Sequence, residues 1–362
     1  GNKVGMLHIA MRSVFTCFDG HLLEYTSNKI EISETEYLNE IQIKKWFIGG
    51  VPKFREKYYS RNAIRLFKKY IEKYGKPDVI HAHFAIWSGV IAYQISKEFN
   101  IPYLITEHSS SYGRGLIKGK YSKLLSKVLN NSQKIIGVSS GLAKDISSYT
   151  SKEIIVIGNP IDTNFFTIDS KVENNKIFSI FSLGYLTQVK GFDILINSLG
   201  NLFRNKLISD NVFLRIGGSG PELEHLKELV INNGLQNTVT FLGELNKEQV
   251  KKEMQFCNLF ALPSRFETFG VVYLEAMATG KPVIASDTYG PSQIINKEVG
   301  YIIETNNQKD LQKALIDAIE KKEYWKSKEN EIRNYVITNF GEIAYADKLE
   351  FIYKQILEKS IC

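Results

Sequence analysis

Short apolar runs alternate with segments of helical period along this 362-residue chain. The runs are rich in β-branched and aliphatic residues and bounded by glycine, proline or polar residues, so they predict strands. They read DVIHAH (78–83), PYLITEH (102–108), KIIGVS (134–139) and EIIVIGN (153–159), with helix-period stretches such as SGVIAYQISKEFN (88–100) between them. The alternation lapses over 163–176, TNFFTIDSKVENNK, which is polar and aperiodic as a linker would be. It resumes with IFSIFSLG (177–184), VFLRIGG (212–218), VTFLG (239–243), LFALPS (259–264), PVIAS (282–286) and GYIIE (300–304). Strands that are apolar on both faces and separated by helices belong in parallel sheets covered on both sides.

The pattern therefore predicts two Rossmann-like α/β domains joined near Ile168, with no short repeat or low-complexity tract to compete. With 43% hydrophobic and 23% charged residues the chain is long enough for two cores. Its three cysteines, Cys17, Cys257 and Cys362, form no C-x-x-C pair, so neither a disulfide framework nor a zinc site is expected. A reducing, cytoplasmic setting fits, and no apolar run approaches the roughly 20 residues of a membrane span. Charge changes the picture more. Residues 1–165 hold 23 Lys and Arg against 14 Asp and Glu, whereas the whole chain holds 46 against 39, so the basic excess sits in the first half. Residues 53–76 alone carry nine basic and two acidic side chains interleaved with aromatics. That stretch reads either as a solvated helix face or as a patch for anionic lipid head groups or a phosphorylated acceptor. No nucleic-acid-binding motif accompanies it, so a nucleic-acid partner is not expected.

In doubly wound sheets ligands sit beyond the carboxyl ends of the strands. In the second half those positions carry YLTQVKG (185–191) with Lys190, GGSGPE (217–222), SRFETFGVVYLEA (264–276) and DTYGPS (287–292). Glycines there let backbone approach a ligand, and helix N-termini offer unpaired N–H groups to phosphate. If LFALPS is a strand and a helix begins near Gly270, Glu267 lies in the loop and Glu275 one to two turns into the helix. An anion then fits between them on the amides of Gly270, Val271 and Val272. An ionised carboxylate only accepts hydrogen bonds, so the two glutamates suit sugar or ribose hydroxyls rather than phosphate. Glu275 also sits in VVYLEAMA, apolar on all sides, where a carboxylate is costly without a partner.

The two glutamates spaced as E-x7-E in RFETFGVVYLEAMATGKPVIAS (265–286), preceded by GGSGPE, resemble the C-terminal domain of the retaining glycosyltransferases of family 4, which have the GT-B fold. DVIHAHF, PYLITEH and GNPIDTNFF are similar to that family's N-domain and domain junction, and FGEIAYADKLEFIYKQIL (340–357) to its terminal helix. The resemblance covers nearly the whole chain. It implies two Rossmann-like domains facing across a cleft: an acceptor-binding domain over 1–165, a nucleotide-sugar-binding domain over 166–338, and a helix over 339–362 returning to the first. It also implies the roles. Glu275 binds the ribose hydroxyls, Glu267 the donor sugar, and the amides of Thr268, Phe269, Gly270, Val271 and Val272 the sugar and diphosphate. Lys190 neutralises the leaving diphosphate, the Gly218, Ser219 and Gly220 loop lines the nucleotide side, and His108 lies near the reacting centre.

The implied activity is metal-independent transfer with retention, from a nucleotide-diphosphate-sugar, UDP being the commonest, to a glycan or lipid-linked acceptor at the inner membrane face. No protein nucleophile stands out, so same-face attack is expected, with the departing phosphate taking the acceptor proton. No cofactor is expected. His81 and His83, two apart on a strand, could pair on a metal, but without a third ligand or a D-x-D pair they read as packing or acceptor-side groups. Two departures from the family pattern stand out. Tyr185 occupies the position of a usual diphosphate-binding arginine, for which Arg265 or Arg12 are the substitutes. The opening GNKVGMLHIA resembles the family's second strand, so one leading βα unit of roughly 25–30 residues is expected to be missing. A non-catalytic GT-B subunit would tolerate both departures, and a sugar-nucleotide epimerase is a weaker alternative.

Overall fold

A computed structural model describes residues 52–169 and 177–361, together with the backbone of three short strands at 6–9, 30–34 and 39–43. The chain divides into two compact units: 1–137 with 143–156 and 350–362, and 157–349 with 138–142. Arg12, Cys17, Cys362, the start of the chain and the second half of the linker stretch lie outside the described residues.

The strands of the first unit are β1 (Met6–Ile9), β2 (Ile30–Glu34), β3 (Asn39–Ile43), β4 (Val79–His83), β5 (Tyr103–Glu107), β6 (Lys134–Gly137) and β7 (Ile154–Val156). Five of them form a parallel sheet in the order β1-β4-β5-β6-β7, so among the described residues β1 is an edge strand paired with β4 alone. β2 and β3 form a separate antiparallel pair, whose alternating apolar and polar residues the reading of continuous apolar runs passed over. The helices are α1 (Pro52–Tyr74), α2 (Val90–Phe99), α3 (Lys120–Asn131) and α4 (Ser140–Ile146). The central strands β4 and β5 are buried on both faces because helices cover the sheet, which is why they read as continuous apolar runs.

The second unit runs through β8 (Phe178–Leu183), α5 (Phe192–Arg204), β9 (Val212–Gly217), α6 (Leu223–Asn232), β10 (Val239–Gly243), α7 (Lys247–Phe256), β11 (Leu259–Leu262), α8 (Val271–Ala278), β12 (Val283–Ser286), α9 (Pro291–Ile294) and β13 (Gly300–Ile303). Helices α10 (Gln308–Glu320), α11 (Lys322–Ser327), α12 (Glu329–Phe340) and α13 (Glu342–Ile361) complete the chain. The sheet order β10-β9-β8-β11-β12-β13, all parallel, is the doubly wound order that reverses beside its first strand. The carboxyl ends of β8 and β11 flank that reversal, and they carry the Lys190 and Glu267 loops. The last turns of α13 group with the first unit, where Tyr353 Oη lies 2.7 Å from His81 Nδ1. Among the described residues no helix is long and apolar enough to cross a membrane.

Candidate functional site

In the second unit three loops meet at the strand ends. The loop after β8 turns through a short 3-10 segment at Gln188–Lys190, and Gly191 follows at φ +71°. A Cβ on Gly191 would stand 2.1 Å from the carbonyl oxygen of Pro263, so the Lys190 turn lies directly on the end of β11. The loop of Gly218, Ser219 and Gly220 is bound to the same turn through backbone: Leu186 N donates to Ser219 O at 2.8 Å and Glu222 N to Leu186 O at 3.0 Å. Ser219 Oγ hydrogen bonds to Glu244 Oε1.

Arg265 fastens the third loop. Its guanidinium donates to both carboxylate oxygens of Asp193, at 2.8 and 2.7 Å, and to the Gln188 carbonyl, while its N–H donates to Val189 O at 2.7 Å. Burial would raise the Asp193 carboxyl, but Arg265 outweighs it and holds the group below the usual carboxylate range. Two long-range charge-assisted bonds of this kind are stronger than neutral ones and fix geometry. Arg265 is thus spent on bracing the Lys190 turn, and it is not the free cation that the Tyr185 position calls for. Tyr185 itself projects from the turn with 60% of its surface exposed.

Lys190 Nζ lies 2.6 Å from Glu267 Oε2, with both side chains largely shielded from solvent. Thr268 and Phe269 follow, buried at 8% and 4% exposure; the Phe269 ring packs edge-on against Phe340 and leaves only its backbone for a ligand. Gly270 then caps α8 at φ +87°, where a side chain would be strained and a Cβ would fall 2.5 Å from the Tyr273 ring. The first N–H groups of a helix have no intrahelical acceptor, so Gly270, Val271 and Val272 present donors at the positive end of α8. One turn on, Glu275 is half-buried among apolar neighbours, and among the described residues its carboxylate makes no hydrogen bond or ion pair. Burial pushes its pKa up to about 7, against a smaller opposing pull from Lys247 at the start of α7.

In the first unit His108 follows β5. Its Nε2 lies 3.1 Å from His83 Nδ1, and the His83 ring stacks on His81 at 4.5 Å. His81 is fully buried and spends both nitrogens, one at Tyr353 Oη and one at Thr106 Oγ1, each 2.7 Å away. The residue that sequence reasoning passed over is Glu107. Its buried carboxylate accepts from the N–H groups of Ala85, His108 and Ser109 and from Tyr112 Oη, at 2.8 to 2.9 Å. Burial raises its pKa and these four bonds oppose the rise. The signal was present in PYLITEH: a glutamate ending an apolar strand must find donors. Among the described residues no group of three or more His, Cys, Asp or Glu is arranged to hold a metal. A surface groove of about 500 Å³ along β13 and α10, lined by Asn296, Lys297, Tyr301 and Asp317, contains none of these site residues.

Two family profiles match the chain, one described as Glycosyltransferase Family 4 over residues 14–165 and one as Glycosyl transferases group 1 over 164–337. An uncharacterized glycosyltransferase of Methanocaldococcus jannaschii is 32% identical over 314 residues, 85% of this chain and 82% of the relative. A putative teichuronic acid biosynthesis glycosyltransferase of Bacillus subtilis, TuaC, is 26% identical over 351 residues, 89% of this chain and 84% of that one. Among solved structures, HepE of Anabaena in complex with UDP superposes with a TM-score of 0.71 at 20% identity, over 80% of this chain and 82% of that one. At that identity the likeness carries the fold alone, which is GT-B.

Proposed function

This chain belongs to glycosyltransferase family 4, and on that premise we propose that it transfers a sugar with retention, without a metal, from a UDP-sugar to a lipid-linked or polysaccharide acceptor. The observation that supports this most is the Lys190–Glu267 pair at the amide-rich start of α8 with the unpartnered Glu275 one turn further on. Each part has a distinct chemical use. The Gly270, Val271 and Val272 amides and the Lys190 ammonium suit a diphosphate whose charge grows as the sugar departs. Removing one preorganised donor of this type commonly costs about 3–4 kcal/mol of transition-state stabilisation. Glu267, already neutralised by Lys190, accepts from donor-sugar hydroxyls and orients the ring. Glu275 accepts from the ribose diol, and those two donors replace the water its carboxylate has lost.

With Glu267 paired to Lys190 and Glu275 assigned to the ribose, neither glutamate is left to attack the anomeric carbon from the opposite face, which favours same-face attack. The departing phosphate oxygen then takes the acceptor proton, and His108 serves the acceptor side. UDP is the reading for the nucleotide because HepE was solved with it. An envelope polymer or its lipid-linked precursor is the reading for the acceptor, from the basic first half of the chain and from the teichuronic acid role given to TuaC. The same basic half supports a position on the cytoplasmic face of an anionic membrane.

Calorimetric titration of UDP, GDP and ADP, alone and as sugar conjugates, tests the donor site. Selective binding of UDP that is lost in Glu275→Ala is expected. Binding without turnover in an acceptor screen would favour the non-catalytic subunit, and no binding of any nucleotide would refute the assignment. For the membrane, vesicles with and without phosphatidylglycerol at two salt concentrations decide: indifference to both lipid charge and salt removes that part of the proposal.

A further inference from the structure

Between Glu107 and Asp145 the chain has seven Lys and Arg and not one acidic residue. The loop that joins β5 to α3 lies in this stretch, and its tip, 113–119, reads GRGLIKG. Leu116 at the tip exposes 58% of its surface, and Arg114 and Lys118 on either side are exposed with it. Lys123, in the first turn of α3, is exposed as well. Among the described residues none of these three cations has an ion-pair partner.

Backbone bonds close the tip. Arg114 N donates to Ser110 O at 3.2 Å, Gly115 N to Tyr112 O at 3.0 Å and Leu116 N to Ser111 O at 2.9 Å. Beneath this turn Tyr112 is buried, packs edge-on against Tyr149 at 5.6 Å and donates its hydroxyl to Glu107. The Glu107 network, which the proposed chemistry does not use, therefore mounts the loop on the end of β5. Gly115 and Gly119 have positive φ, and a Cβ on either would meet nothing within 4 Å, so the leucine is carried on a turn that stands clear of the body.

A lone exposed leucine is ordinary. Held out on a braced turn among unpaired cations, it matches a surface that is anionic outside and apolar beneath. A bilayer containing anionic lipids has that layering. An anionic glycan or nucleic acid would answer the cations and leave the leucine in water. An apolar protein face would cover the leucine and bury the cations unpaired. The basic run 53–76 lacks this combination. Between 60 and 74 every exposed position of α1 is charged, and two of its lysines are paired, Lys68 with Glu98 at 3.2 Å and Lys69 with Glu72 at 2.8 Å. Those are the features of a solvated face.

We propose that the 113–119 loop docks the protein on anionic lipid, with Leu116 entering the boundary of head groups and acyl chains and Arg114, Lys118 and Lys123 holding lipid phosphates. The loop follows closely on His108, so docking there sets the acceptor-side end of β5 against the bilayer that holds a lipid-linked acceptor. This rests on the membrane reading above and replaces a diffuse basic half with one loop.

Vesicle flotation of the full chain tests it, with phosphatidylcholine alone and with phosphatidylcholine and phosphatidylglycerol mixed. The variants are Leu116→Ser, Leu116→Trp, the loop pair Arg114→Gln with Lys118→Gln, and the α1 pair Arg61→Gln with Arg65→Gln. Wild type is expected to float only with the mixed vesicles. Each cation close to an anionic surface is worth about fivefold in partitioning, so the loop pair should bind roughly 25-fold more weakly. Leu116→Ser should bind roughly five- to tenfold more weakly. Leu116→Trp should bind at least as tightly as wild type, and its emission should shift to the blue on the mixed vesicles. The α1 pair should stay within about threefold of wild type. Every variant should keep the wild-type melting temperature and UDP affinity. As large a loss in the α1 pair, unchanged binding in Leu116→Ser, or a Leu116→Trp emission that does not move would each overturn the loop assignment while leaving membrane binding in place. Wild type that ignores the mixed vesicles would overturn it together with the membrane reading, and the UDP titration decides the donor site separately. Capture of soluble dextran sulfate that needs Arg114 and Lys118 but not Leu116, without vesicle binding, would assign the cations to an anionic polymer and overturn it as well.

Discussion

Replacing Glu275 by glutamine should make the free protein more stable and the enzyme worse. In the fold this carboxyl is pushed from its ordinary 4.5 to about 7, chiefly by burial. The folded state therefore holds the proton to a higher pH than the unfolded chain does. Stability is then greatest below about pH 4.5, declines as pH rises towards 7, and levels off above it. A difference of about 2.5 pH units corresponds to roughly 3 kcal/mol, and because the group is only half-buried, part of this is screened, leaving about 1–3 kcal/mol. Glutamine has nearly the same shape and no titration. Glu275→Gln should lie nearest wild type at pH 5, pull ahead as pH rises, and exceed it by about 1–3 kcal/mol at pH 8. Urea unfolding at pH 5, 6, 7 and 8, followed by amide exchange of the α8 peptide so that the second unit is read by itself, measures this. With UDP the order should reverse: ribose hydroxyls favour the ionised carboxylate, so wild type binds with proton release near pH 6–7. The variant should lose roughly 10–100-fold in affinity, the worth of hydrogen bonds to a charged group. A stability difference that does not change with pH, or a variant weaker than wild type at pH 8, would refute the reasoning.

Lys190→Ala should lower kcat by roughly 10²–10³-fold with a smaller effect on donor KM, because the charge it answers develops as the diphosphate leaves; an equal loss in KM alone would assign it to ground-state binding. Arg265→Lys should cost about 1–2 kcal/mol in urea unfolding by ending the two-pronged bond to Asp193. It should also reduce kcat by loosening the Lys190 turn, so an unchanged kcat would show that Lys190 is placed without it. Glu107→Gln puts an NH₂ group among four donors, and a loss of about 2–4 kcal/mol in the first unit is expected by thermal unfolding. A variant as stable as wild type would mean that the network relaxes around the change.

Much of this protein was legible in the chain itself. The apolar runs at 78–83, 102–108, 178–183 and 259–262 became strands because a run without polar alternation has to be buried on both faces, and parallel sheets supply that burial. Glu275 announced itself the same way, as a charge in an apolar helix, and Gly270 and Lys190 fell at strand ends where ligands of such sheets lie. The antiparallel pair β2 and β3 was passed over, since IEIS and EIQI alternate apolar with polar over only four residues, a shorter signal than the continuous apolar runs of the parallel strands. Nor was the partnership of side chains far apart in sequence. Arg265 was a candidate phosphate ligand until the fold brought it to Asp193, 72 residues away, and closed it in a two-pronged bond. Glu107 was one letter in a strand until the fold brought the Ala85 N–H from the 84–89 turn, the N–H groups of His108 and Ser109 and the Tyr112 hydroxyl around it. Local periodicity records which residues must be hidden; which hidden and exposed residues meet is settled only when the sheets close and every buried polar group has to find its partner.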